Sequence, residues 1–145
     1  MNPLVPLVFA VGLVTLATLA GVVWKARQGA ARSTAPSEAL DPQLLAPASG
    51  TEAPAFGRRA TLVQFSTEFC ASCPSTRRVL SGISAQNADV AYLDVDVTDR
   101  ADLVRRFSIL QTPTTLILDR DGVVRTRIGG AVRPAVVEAR LKEFV

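Results

Sequence analysis

STEFCASCPSTRRVL, residues 66–80, holds both cysteines of the 145-residue chain, separated by two residues and followed directly by a proline. Before it, ATLVQF at 60–65 is a continuous apolar run with the length of a buried strand. After it, a helix is predicted over 74–85, with Leu80 and Ile83 on its apolar face. Proline is acceptable in a first helical turn, where its missing N–H would have no partner. The cysteines are therefore predicted to lie at a strand-to-helix junction.

The rest of the C-terminal part alternates between strand and helix patterns. The sequence predicts, in order, a strand at 90–97, a helix at 99–107, a strand at 114–119, a hairpin strand at 123–128 and a helix at 134–144. The β-α-β-α-β-β-α order predicts an α/β domain of three layers, with a central sheet and helices on both faces. The first two strands are expected to be parallel, because a right-handed crossover through the cysteine-bearing helix joins them.

The position of the cysteines bears on their chemistry. Backbone N–H groups at a helix N-terminus stabilise an anion, and Cys-x-x-Cys cysteines at such a position commonly have a lowered thiol pKa. We therefore expect Cys70 to be the reactive thiol and Cys73, one turn further on, its resolving partner. The chain has no histidine and no third cysteine, so it lacks the ligands of a zinc site and the usual base of a cysteine hydrolase. A structural disulfide and a metal shared across a dimer remain alternatives at this point.

Two longer stretches carry a family resemblance. LVQFSTEFCASCPSTRRVL at 62–80 and VAYLDVDVTDRADLVRRFSILQTPTTLILDRDGVVRTRIGG at 90–130 resemble the thioredoxin family, over about residues 59–145. The resemblance implies a thioredoxin-like fold with a mixed central sheet. It also implies a redox-active disulfide between Cys70 and Cys73 that exchanges with protein disulfides. No cofactor beyond that disulfide is expected, and the electron donor is not identified.

The resemblance further implies a surface that binds partner chains. In QTPTTLILDRDG it makes Pro113 a cis-proline that lies against the disulfide, and it makes Thr112 a source of backbone groups for a bound chain. The other predicted binding positions flank the cysteines or follow the last strand: Phe69, Ala71, Ser72 and Gly129. No metal is expected, because a lone Cys-x-x-Cys pair cannot supply the ligands within one chain. Nucleic acid is not expected either, since the formal net charge of +3 forms no basic stripe.

The sequence also departs from the family pattern. Phe69 replaces the tryptophan before the first cysteine, and Ala71-Ser72 replaces the Gly-Pro dipeptide. Gln64 stands in place of a buried aspartate, and Tyr92 in place of its lysine partner. Because an amide cannot accept a proton from the resolving thiol, we predict that Cys73 deprotonates through water or the leaving thiolate, and that it resolves mixed disulfides slowly. A non-catalytic thioredoxin-fold redox sensor or partner-binding module is the alternative function.

The N-terminus reads as a membrane anchor. Residues 4–24 contain no charged residue and precede Lys25, Arg27 and Arg32. At about 1.5 Å per residue they span roughly 30 Å, the hydrocarbon thickness of a bilayer. We predict a single-pass anchor over 1–27. A cleaved signal peptide is the alternative, although no basic residue precedes the apolar run. The positive flank places the domain in the cytoplasm, with the outer face as the alternative.

Residues 28–58 are predicted to be a linker. They are rich in Ala, Pro and Ser and lack a sustained periodicity. A flexible coil of this length averages roughly 30 Å from end to end, which would let the domain sample partners near the membrane. Within it, 37–46 is expected to be a short helix or a strand-like segment on the domain. By the resemblance, the opening strand–helix unit of the thioredoxin family is either missing or reduced to this segment. The predicted domain then covers 59–145.

Overall fold

The protein is described by a computed structural model over residues 4–27, 29–34, 39–46 and 53–144. These residues form, in chain order, α1 (Leu4–Arg27), β1 (Ala31–Ser33), a 3₁₀ helix (Pro42–Leu45), β2 (Ala60–Ser66), α2 (Cys73–Gln86), β3 (Val90–Asp96), α3 (Ala101–Arg106), β4 (Thr114–Asp119), β5 (Val124–Gly129) and α4 (Pro134–Leu141). Each strand and helix predicted from residue 60 onward is present, with its ends within three residues of the prediction.

The strands form one five-stranded mixed sheet in the order β1-β5-β4-β2-β3. β2 and β3 are parallel and connected through α2, as predicted, whereas the other neighbouring pairs are antiparallel. Every residue of β2 is buried, because this strand has a neighbour on each side and helices above and below. The continuous apolar run in the sequence reflects that central position.

Alternate residues of β2 point into two separate cores. On one face Leu62 packs in a cluster with Leu80 of α2 and Val137 of α4. On the other face Phe65 packs in a cluster with Leu103 of α3, and its ring lies 5.1 Å from that of Phe107, centroid to centroid. Helices therefore cover both faces of the sheet, which confirms the predicted three-layer fold class.

The described parts of the predicted linker belong to the folded domain. β1 pairs with β5 at the edge of the sheet, with Ala31 opposite Ile128. Further along, the Leu40 amide donates to the Gly122 carbonyl at 2.9 Å, and Leu40 and Leu45 are buried in the cluster that contains Phe65. A flexible tether is therefore the wrong description of 29–34 and 39–46. Edge pairing uses backbone groups of β5, and a search for apolar periodicity does not detect it.

The sequence left a short helix or a strand-like segment as alternatives for 37–46, and the structure decides between them for the described residues. Pro42–Leu45 is a 3₁₀ helix whose N-cap, Asp41, accepts a hydrogen bond from the Gln43 amide at 2.9 Å. Residues 37 and 38 lie outside the described residues, as do 47–52 of the linker. The boundary at 27 stays a prediction, whereas the boundary at 58 does not separate the described residues 29–34 and 39–46 from the domain.

α1 is exposed along the side chains that the structure describes. The stretch Pro6–Ala26 has a mean hydropathy of 2.3 and is long and apolar enough to cross a membrane. A signal sequence near an N-terminus can meet the same criteria of length and composition. The hydroxyls of Thr15 and Thr18 donate to the carbonyls four residues earlier, each at 2.8 Å, so both polar groups are satisfied within the helix.

Candidate active site

The two cysteines form a disulfide at the start of α2, with their Cα atoms 5.4 Å apart. Two consecutive turns carry the chain from β2 to the helix: the Cys70 amide donates to the Thr67 carbonyl, and the Cys73 amide to the Cys70 carbonyl, each at 3.3 Å. Cys73, the first residue of α2, is 3% exposed, and Cys70 is half-buried. The accessible sulfur therefore belongs to Cys70, in the order that the sequence indicated.

The N-terminal end of α2 is electrostatically open. Its N-cap residue, Ser72, makes no side-chain capping hydrogen bond, and its first turn has no acidic residue, in a helix that the structure describes in full. The Cys73 amide is already bonded to the Cys70 carbonyl and Pro74 has no N–H, so the stabilisation of an anion just in front of the helix comes chiefly from the helix dipole. A thiolate on Cys70 is such an anion.

The segment before β4 lies beside this turn. The Thr112–Pro113 peptide bond is cis, as the resemblance implies. The Thr112 and Thr67 hydroxyl oxygens are 3.1 Å apart, and the Gly130 amide donates to the Pro113 carbonyl at 2.8 Å. Hydrogen bonds therefore join Thr112 and Pro113 to the loop before Cys70 on one side and to the end of β5 on the other.

The other predicted binding residues also lie at this end of the sheet. Phe69, Ala71 and Ser72 are exposed, and Gly129, opposite Thr114, is the last residue of β5. A Cβ added at Gly129 would lie 2.5 Å from the Gln111 side-chain nitrogen. Their contribution to partner binding stays a prediction.

Sequence reasoning missed Leu110. Its side chain is 94% exposed and that of Phe69 is 89% exposed, and outside α1 these are the exposed large apolar side chains of the described residues. Leu110 directly follows the core residue Ile109 in the loop that leads to the cis-proline. The available signal was an apolar residue in a loop with no strand or helix face to occupy.

A polar pair lies behind the disulfide. Gln64 of β2 is fully buried, and its side-chain nitrogen donates to the Cys73 carbonyl at 3.1 Å. The Tyr92 hydroxyl of β3 donates to the Gln64 side-chain oxygen at 3.0 Å. Burial, with the nearby charge of Asp94, raises the pKa of Tyr92 to about 12. The phenol therefore keeps its proton at neutral pH and remains a donor.

The carboxylate of β3 that lies opposite Gln64 forms its hydrogen bonds with other side chains. Asp94 lies in register with Gln64, but it accepts hydrogen bonds from the Arg77 Nε at 2.6 Å and from the Ser66 hydroxyl at 2.8 Å. The hydrogen bond and the charge of Asp94 raise the pKa of Arg77 above its ordinary value. Arg77 is thus an ion-pair partner of Asp94. Among the described residues there is no group of three His, Cys, Asp or Glu that could hold a metal ion.

Comparisons with known proteins agree with this architecture. The model of the family described as a thioredoxin-like domain matches residues 48–144. A thioredoxin from Mycobacterium tuberculosis is 32% identical over 88 residues, which cover 60% of this chain and 75% of that protein. The crystal structure of thioredoxin NaTrxh from Nicotiana alata superposes with a TM-score of 0.52 at 25% identity, covering 60% of this chain and 74% of the other.

The family match covers more than half of the chain, and the chain therefore belongs to the thioredoxin-like family. Human thioredoxin domain-containing protein 2 is 33% identical over 58 residues. The chain spans only 10% of that protein and 53% of the rice protein Thioredoxin H5. The fold, together with a Cys-x-x-Cys pair at the start of α2, supports thiol–disulfide oxidoreductase chemistry in general terms.

Proposed function

We propose that this protein is a membrane-anchored thiol–disulfide oxidoreductase that exchanges its Cys70–Cys73 pair with disulfides of other proteins. The observation that carries the proposal is the placement of the two sulfurs at the open end of α2, with Cys70 half-buried in front and Cys73 buried behind. A purely structural disulfide would gain nothing from a partly accessible sulfur at a helix N-terminus.

In the reducing direction the reaction has two exchange steps. The Cys70 thiolate attacks one sulfur of a partner disulfide, forming a mixed disulfide and releasing the first partner thiolate. Cys73 then loses its proton, and its thiolate attacks the Cys70 sulfur. This step forms the Cys70–Cys73 disulfide and releases the second partner thiolate. The two released thiolates end as thiols, and an external dithiol returns two electrons and two protons to the enzyme.

The surroundings of Cys73 determine where its proton goes in the second step. The Gln64 side-chain N–H donates a hydrogen bond to the Cys73 carbonyl, and the Tyr92 hydroxyl donates one to the Gln64 side-chain oxygen. Neither side chain can take the Cys73 proton at neutral pH, since an amide is not a base and the Tyr92 phenol is itself protonated. The proton therefore passes to water or to the thiolate that leaves in the first step.

The membrane part of the proposal rests on α1 and its flank. Pro6–Ala26 meets the length and hydropathy of a spanning helix. Lys25 and Arg27 follow the apolar stretch directly, which favours a domain on the cytoplasmic side. To test this, cells producing the protein are reduced and exposed to a membrane-impermeant thiol reagent. Cys70 is labelled only after lysis if the domain is cytoplasmic, and labelling of intact cells places the domain outside.

Insulin reduction by the full chain in detergent tests the activity. Wild type is expected to reduce insulin with dithiothreitol as donor, whereas Cys70→Ser should be inactive. Cys73→Ser should stop at the mixed disulfide and accumulate a covalent adduct.

A second candidate function is a non-catalytic redox sensor or partner-binding module, which the amide of Gln64 behind the disulfide favours. If wild type does not reduce insulin and the Cys73→Ser variant forms no covalent adduct, the second function is supported and the first is refuted.

A further inference from the structure

We propose that the catalytic end of the domain is held at the membrane surface, and that its substrates are disulfides in the juxtamembrane segments of membrane proteins. This inference rests on the proposed function, in which α1 spans the bilayer and the Cys70–Cys73 pair exchanges disulfides. It follows from where the chain that leaves α1 joins the sheet.

The chain enters the domain at the catalytic end of the sheet. The Gly29 amide donates to the Gly129 carbonyl at 2.8 Å, and the following residues run along β5 until the Thr34 amide donates to the Arg125 carbonyl at 3.0 Å. Gly129 lies opposite Thr114, the residue that follows the cis-proline. The first residue bonded to the sheet is therefore beside the active-site loops, and the chain then runs away from them.

Four hydrogen-bond contacts connect this entry point to the reactive cysteine. Gly29 contacts Gly129, and the next residue, Gly130, contacts Pro113 at 2.8 Å. From there the path continues through the Thr112 and Thr67 hydroxyls, 3.1 Å apart, to the Cys70 amide bonded to Thr67 at 3.3 Å.

The distances that follow are short. α1 ends at Arg27, and two Cα–Cα steps of about 3.8 Å place Gly29 at most ~7.6 Å away, whatever the conformation of the residue between them. Neighbouring strands are about 4.8 Å apart, so crossing from β1 over β5 and β4 to β2 takes roughly 14 Å. These two steps place the end of β2, from which the loop to Cys70 leaves, on the order of 20 Å from the end of the helix, compared with about 30 Å for the diameter of such a domain.

The junction depends on glycine at position 29. Gly29 is buried and has a φ of +72°, a left-handed conformation, and an added Cβ would lie 2.5 Å from the Ala131 carbonyl oxygen. A side chain at this position would be strained and would push the strand away from the end of β5. The close attachment is thus specified locally, two residues beyond the end of α1.

The exposed surface of the catalytic end suits this position. Phe69, which directly precedes Cys70, and Leu110, in the loop that leads to the cis-proline, are both almost fully exposed. Aromatic and apolar side chains are favourable at a membrane interface. In a domain surrounded only by water, these two apolar side chains would have no apolar contact to offset their exposure.

Fluorescence quenching tests the geometry without reference to activity. The double variant Trp24→Phe with Phe69→Trp has its single tryptophan beside the disulfide. In phosphatidylcholine vesicles that contain headgroup-nitroxide lipid, this tryptophan is expected to be quenched. Inserting a ~20-residue Gly/Ser segment between Arg27 and Gly29, about 25 Å on average, should abolish the quenching. A tryptophan that is unquenched, or equally quenched in both proteins, would overturn the inference.

Substrate preference tests the functional consequence. Full-length protein is reconstituted with membrane-spanning peptides that carry a disulfide either at the bilayer surface or above a helical spacer of ~30 residues, about 45 Å long. Wild type should reduce the surface disulfide about tenfold faster, because confinement raises its effective concentration. The insertion variant should lose this preference and still reduce insulin at the wild-type rate.

If wild type reduces the two peptides at equal rates but still reduces insulin, the proposed substrate class is refuted and the proposed function stands. Absence of insulin reduction would refute the proposed function, and the quenching measurement would still report the geometry.

Discussion

Replacing Gln64 by glutamate changes one atom and tests the account of the resolving cysteine. Gln64 is fully buried, and its side-chain nitrogen donates to the Cys73 carbonyl at 3.1 Å. In Gln64→Glu that nitrogen becomes an oxygen. A protonated carboxyl can still donate to the carbonyl, whereas an ionised one sets two acceptors against each other in a dry site. We expect the glutamate to remain protonated well above its ordinary range.

The size of the effect follows from burial. A fully buried carboxyl has its pKa raised by roughly 3 units, from about 4.3 to about 7.3. Because the folded-state pKa is the higher one, the folded protein binds more protons between these values and its stability falls as pH rises. The loss is about 1.4 kcal/mol per unit, or ~4 kcal/mol in total. From pH 5 to pH 8, Gln64→Glu should therefore lose about 3 kcal/mol relative to wild type.

Urea unfolding of the oxidised full chain in detergent, followed by circular dichroism at pH 5 and pH 8, measures this difference. Gln64→Leu is the matched control, since it loses both hydrogen bonds of the amide, about 1–3 kcal/mol, without a titrating group. In single-turnover reduction, Gln64→Glu should add a second inflection to the pH profile of the resolving step, and wild type should show only that of the Cys73 thiol. A carboxylate titration already present in wild type, or equal stability losses in Gln64→Glu and Gln64→Leu between the two pH values, would refute the reasoning.

Three further predictions concern stability, measured by the same unfolding assay. Tyr92→Phe removes the hydroxyl that donates to the Gln64 side-chain oxygen at 3.0 Å and should lower the free energy of unfolding by about 0.5–1.5 kcal/mol. Burial opposes ionisation of Asp119, but hydrogen bonds from Arg125 and backbone amides lower its pKa overall; wild type should thus lose more stability than Asp119→Asn between pH 5 and pH 3. Gly57→Ala, where a Cβ would meet three backbone atoms, should destabilise, whereas Gly82→Ala in α2, with nothing within 4 Å, should stabilise by about 0.5–1 kcal/mol.

The sheet could be predicted where a single physical requirement decides the residue types. A strand with neighbours on both sides and helices on both faces must be apolar throughout, and Ala60–Ser66 is buried at every residue. A Cys-x-x-Cys pair directly after such a strand marks the start of the next helix, and α2 does begin at Cys73. The cis bond at Pro113 came from the family resemblance, because its residue types alone do not distinguish cis from trans.

The network behind the disulfide could not be predicted from residue types alone. The sequence indicated that Gln64 and Tyr92 replace a charged pair, but their hydrogen bond depends on strand register. In the parallel pairing of β2 with β3, Gln64 is opposite Asp94, and Tyr92 is opposite Leu62. The two side chains meet on a diagonal between neighbouring strands, and only the register places the phenol within reach of the amide.

The segment between α1 and β2 was misjudged because its composition carries a different kind of information. A Pro- and Ala-rich stretch without periodicity indicates that its side chains do not form a core face, but it does not show whether its backbone groups are paired. The reach of a coil grows with the square root of its free residues, and a residue bonded to β5 is no longer free. Gly29 is bonded two residues after α1 ends, so in the proposed membrane-anchored arrangement the residues after Gly29 add no distance between the bilayer and the sheet. For the proposed anchored enzyme, counting linker residues therefore overestimates the volume that the disulfide can reach, and we expect the backbone pairing of Gly29 to limit which partner disulfides it meets.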